Sequence, residues 1–106
     1  MIVTAWNNGS HHTSGAGYGL KIKIKDRDMN FDSTWQSIVL DLPDKDCPIK
    51  ININKSSFWN NTCHELISIE IGKWLLKHKY APWLKGKPPK FNLIPMQDNH
   101  FRLETL

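Results

Sequence analysis

Two adjacent histidines, His11 and His12, and one glutamate, Glu70, are the side chains of this chain best suited to moving protons. Histidine changes charge near neutral pH, and a carboxylate can orient it or act as its partner. In one reading the histidines are the acid and base of a small enzyme acting on an anionic, phosphodiester-type substrate. Glu70, or Asp26 and Asp28, would then be the partner, and a lysine would stabilise the developing charge. In the plainer reading they are exposed residues of a Gly-, Ser- and Asn-rich loop, Asn7 to Gly17. Adjacent histidines in an extended segment point to opposite sides, so they would not share one metal.

No metal or cofactor is expected. The run Gly15-Ala16-Gly17-Tyr18-Gly19 is glycine-rich, but a strand pattern follows it where a phosphate loop needs a helix N-terminus. Its glycines suit positive φ or close backbone approach. Asp26 to Asp32 places oxygen ligands at alternate positions, as a calcium loop does. Phe31 then stands where glycine is needed, and Ser37 where a bidentate glutamate is needed. Cys47 and Cys63 are too far apart for a dithiol or zinc motif, and both thiols are expected to be reduced.

Binding chemistry points elsewhere. The formal net charge is +4, unevenly spread. Between Asp26 and Asp46 lie Asp26, Asp28, Asp32, Asp41, Asp44 and Asp46, against Arg27 and Lys45 alone. From Ile71 to Gln97 there is no acid, and Lys73, Lys77, Lys79, Lys85, Lys87 and Lys90 all fall there. Trp74, Lys77, Trp83, Lys85, Lys87 and Lys90 interleave rings with ammonium groups, a pattern that can stack bases and attract phosphates. The alternative is that Trp74 is core and the lysines are ordinary solvated surface. Arginine, suited to bidentate phosphate and guanine contacts, occurs only as Arg27 and Arg102.

The elements that must position these residues follow from periodicity. At 106 residues the chain is expected to form one domain, 1–106, with a single core rich in tryptophan and phenylalanine. Thr62 to Tyr80 is the longest periodic stretch. Thr62 and Glu65 fit a capping box, and Cys63, Leu66, Ile67, Ile71 and Trp74 share one helical face. Ala81-Pro82 ends it. Glu70 projects into the apolar stripe between Leu66 and Trp74. It is expected to be tied to a backbone amide or a strand lysine, to act as an acid at the floor of a pocket, or to reach water past Leu66.

Strands are expected at Ile2 to Trp6, Tyr18 to Lys25, Gln36 to Leu42 and Ile49 to Asn54, with a last hairpin from Phe91 to Met96 and Phe101 to Leu106. In the second, Tyr18, Leu20, Ile22 and Ile24 alternate with the row Lys21, Lys23, Lys25. Pro43-Asp44-Lys45-Asp46 is a turn, and Phe58-Trp59 a short helical turn. The order is β-β-β-β-α-β-β. The expected fold is α+β, a mostly antiparallel sheet with one main helix, about 62–80, packed on one face.

The N-terminus lacks the basic and apolar regions of a signal peptide, and no stretch has the ~20 apolar residues of a membrane span. A cytoplasmic protein without membrane contact is expected. The preferred function is a small, basic, non-enzymatic binding module that holds nucleic acid or an acidic protein through its lysine and aromatic surface. The enzyme reading above is one alternative. An accessory or regulatory interaction factor, of toxin-neutralising or phage-related kind, is another.

Overall fold

Alternation along the strands is what builds the core. In a computed structural model, which describes residues 1–62 and 64–106, seven strands and three short helices form an α+β fold. The strands are β1 (Ile2–Asn7), β2 (Tyr18–Lys21), β3 (Ser37–Asp41), β4 (Ile49–Asn52), β5 (Glu65–Ile67), β6 (Lys90–Pro95) and β7 (His100–Thr105). The helices are α1 (Ile24–Asn30), α2 (Ser56–Trp59) and α3 (Ile69–Lys77). Val3 and Ala5, Tyr18 and Leu20, Ile38 and Leu40, Ile49 and Ile51, Phe91 and Leu93, and Phe101 and Leu103 all turn inward and are buried. Every second residue on one pleated face is enough to make a core layer.

The sheet order is β4-β3-β7-β6-β1-β2-β5. Pairing is antiparallel except between β3 and β7, so the sheet is mixed. The expected hairpins β3–β4 and β6–β7 both form, and β3 joins them side by side with β7 in the same direction. The sheet curls until β4 approaches β5, which gives it a barrel-like shape. Among the described residues, no helix is long and apolar enough to cross a membrane.

Two clusters of rings belong to this core. Phe31 stacks on Phe101 at 4.6 Å, with Phe58 and Trp35 edge-on to Phe31. Trp74 stacks on Tyr80 at 5.4 Å, and Phe91 meets both edge-on. Offset and edge-to-face pairs of this kind add about 0.5–1.5 kcal/mol each beyond the area they bury.

Two elements differ from expectation. The stretch 62–80 is not one helix: Glu65–Ile67 is strand β5, and α3 starts only at Ile69. Leu66, Ile67, Ile71 and Trp74 do share a helical face, yet Leu66 is buried within the strand and Ile67 is exposed. The free edge of β2 then decides, because Gly19, Leu20 and Lys21 pair with Ile67, Leu66 and Glu65. Thr62 therefore caps nothing helical, and Ser68 is the N-cap, its hydroxyl accepting from the Glu70 amide at 3.2 Å. Cys63, placed on that helical face by its spacing, lies outside the described residues.

The second expected strand is also shorter. It stops at Lys21, and Ile24–Asn30 is helix α1. Arg27 explains this. Only 4% exposed, it donates from Nη1 to the carbonyls of Phe58 (2.8 Å) and Asn60 (2.9 Å), and its guanidinium lies 5.6 Å from the Trp59 ring. An extended chain would not deliver that guanidinium to α2.

Candidate functional site

The loop between β1 and β2 is organised by side chains close to its start. Asn7 Oδ1 accepts from the amides of Gly9 (2.7 Å) and His11 (3.1 Å), and the Asn8 amide donates to the Gly17 carbonyl (2.9 Å). Gly9, Gly15 and Gly17 all take positive φ, as does His11 at 42°. Gly15 is buried against α3, where a Cβ would lie 2.7 Å from the Lys73 amide nitrogen and 2.8 Å from the Ile69 carbonyl. The loop is thereby seated on the helix.

Seating the loop fixes His11. Its Nδ1 shares a 2.9 Å hydrogen bond with the Tyr18 hydroxyl. Trp83, from the segment after α3, packs edge-on against both rings, at 4.9 Å from His11 and 5.8 Å from Tyr18. Burial holds the Tyr18 phenol above its ordinary pKa. His12, the neighbour of His11, is exposed. The structure therefore joins His11 to Trp83, two residues that the sequence places in different candidate sets. The side-chain partners of His11 are a phenol and an indole, not a carboxylate.

Glu70 belongs to a second assembly. Trp74 Nε1 donates to the Pro43 carbonyl at 2.8 Å, which pins the β3–β4 turn against α3. Between turn and helix runs a groove of about 200 Å³, lined by Asp44, Lys45, Glu70, Lys73, Trp74 and Lys77. Glu70 spans two lysines, Oε2 to Lys45 Nζ at 3.4 Å and Oε1 to Lys73 Nζ at 3.5 Å. The hydrogen bond from Lys45, and then the charge of Lys73, hold its carboxyl below the usual glutamate range. Glu70 is thus tied neither to a backbone amide nor to a strand lysine: its partners are a turn lysine and a helix lysine, and its side chain keeps 38% of its exposure, so it does not lie within an apolar stripe. Lys77, one turn beyond Lys73, enters no ion pair among the described residues.

The remaining candidates are distributed unevenly. Trp74 is 5% exposed, and its ring faces are occupied by Tyr80 and Phe91, so it is a floor and offers no stacking surface. Trp83 is half-buried. Lys85 and Lys87 are exposed on the strap that follows it. Lys90 lies elsewhere. It pairs with Thr4 in the sheet, its Nζ 3.3 Å from Thr4 Oγ1, on the face opposite the buried Phe91 and Leu93. Since α3 meets Phe91 through Trp74, Lys73 and Lys77 are on one side of the sheet and Lys90 on the other.

Two participants have no signal in the sequence. By sequence Lys45 is a turn residue and Tyr18 a core residue, and each becomes a partner only through a fold contact. A second concavity of about 240 Å³ is lined by Asp41, Met96, Gln97, His100 and Arg102. Its ionisable groups are already matched, His100 hydrogen-bonded to Asp41 at 2.7 Å and Arg102 paired with Glu104 at 3.0 Å. No known protein family, curated protein or solved structure matches this chain, so the geometry alone must carry a functional reading.

Proposed function

We propose that this protein is a non-enzymatic binding module for a polyanion, nucleic acid first of all, that it engages on the side carrying α3 and the strap. The observation that supports this reading is the loop between β1 and β2. Through Gly15 it abuts Lys73, and through His11 it holds Trp83. Lys73 and Trp83 thus adjoin one loop; Lys77 follows one helical turn after Lys73, and the exposed Lys85 and Lys87 follow the half-buried Trp83 along the strap.

Ammonium groups on flexible stems act as point charges, so the expected contacts are to phosphates and not to base edges. Trp83 supplies a ring on which a base can stack. His11 is a positioning residue in this reading, because its bond to Tyr18 and its contact with Trp83 hold strap and loop together.

The test is fluorescence anisotropy with labelled single- and double-stranded DNA and RNA. At about 50 mM salt binding is expected, and it should fall steeply as salt rises, because each phosphate contact releases counterions. Trp83→Ala and the double variant Lys85→Glu, Lys87→Glu should both weaken it. No binding to any of these probes at low salt would overturn the proposal.

A further inference from the structure

We infer that the groove between α3 and the β3–β4 turn is a phosphate-binding site, and that the Glu70 carboxylate sits where the phosphate would. This rests on the polyanion-binding reading above and names the group bound and the place. Three ammonium groups, Lys45, Lys73 and Lys77, border a groove of about 200 Å³ floored by Trp74. Against them stand two carboxylates, Asp44 and Glu70. Glu70 gives one oxygen to each of two lysines, as a phosphate bridging them would.

The pairing is easily displaced. Both contacts, at 3.4 and 3.5 Å, are longer than a charge-assisted hydrogen bond of about 2.7–2.9 Å. Their side chains keep between 29% and 58% of their exposure, so each pair contributes little to stability. A nucleic-acid phosphodiester matches the carboxylate in charge and in its two free oxygens and can also engage Lys77, which Glu70 does not pair with, while inorganic phosphate offers more oxygens and more charge. The remainder of the site is held firmly. The helix start is capped by Ser68, and the turn is fixed by the bond from Trp74 to Pro43, so neither depends on the Glu70 side chain.

The sign of the expected effect is unusual for a binding residue, since removing Glu70's charge should improve binding. The probe is a labelled single-stranded oligonucleotide at about 50 mM salt, with inorganic phosphate as competitor. Glu70→Gln should tighten binding about fivefold, the factor matching the upper end of an exposed ion pair. Lys77→Ala should weaken it, and inorganic phosphate should compete more strongly against Glu70→Gln than against the native protein.

Glu104→Gln serves as the control. It changes the net charge equally but lies on the solvent face of β7, paired with Arg102. Thermal melts establish that each variant is folded. If Glu70→Gln and Glu104→Gln act alike, only net charge matters and the groove assignment fails while the binding reading survives. If Glu70→Gln binds no better than the native protein, the assignment also fails. If neither the native protein nor Glu70→Gln binds at all, both readings fall.

Discussion

Gly72, at the centre of α3, lies against the backbone carbonyl of Gly15, so close that a methyl group on Gly72 would overlap the carbonyl oxygen. Each glycine makes room for the other's backbone. This single contact seats the β1–β2 loop on the helix, and with it the His11, Tyr18 and Trp83 cluster.

Gly72→Ala should therefore destabilise the protein, although alanine is the better helix former by about 1 kcal/mol. Overlap with fixed backbone should outweigh that gain, for a net loss of about 1–3 kcal/mol. Urea unfolding of the two proteins measures it. An unchanged or raised midpoint would show that the loop does not rest on α3.

Arg27→Ala should cost about 1–3 kcal/mol, chiefly because the buried carbonyl of Phe58 would lose its donor, whereas water can replace the bond to the exposed Asn60. Arg27→Lys should recover only part of it, since one ammonium lacks the planar fork that also reaches Asp28 at 2.9 Å. Thermal melts of the three proteins give the ranking. Equal melting temperatures would mean that α1 is held by its apolar residues alone.

Tyr18→Phe keeps the ring and removes the hydroxyl that His11 Nδ1 meets, which should cost about 1 kcal/mol. The pH dependence has a defined sign. The folded phenol is held above its ordinary value, near 10, while the unfolded one is not. Stability from the neutral phenol is complete below the unfolded value and is lost as pH rises through the folded one. The difference in phenolate absorbance between native protein and Tyr18→Phe should appear only above pH 10 or so. A titration at or below that pH would place Tyr18 in contact with water.

How much of this was legible in the residues depends on the range of the interaction. Strand alternation is a local property, so β1, β3, β4 and the β6–β7 hairpin could be read directly, and so could the turn Pro43 to Asp46 and the Phe58-Trp59 helical turn. The glycines Gly15 and Gly17 could be read as positions of positive φ or close approach, though not what approaches them.

The sequence by itself determined an α+β core and most of its inward-facing residues. Only the tertiary structure decided that Glu65–Ile67 is a strand, because the local spacing favours a helix there and the open edge of β2 that recruits it lies far away in the chain. It alone chose Lys45 for Glu70 and Trp83 for His11, and set Lys90 across the sheet from Lys73. A periodic pattern tells each side chain which way to face within its own element. Which element it then meets is settled by strand order and helix placement, and neither is written in local spacing.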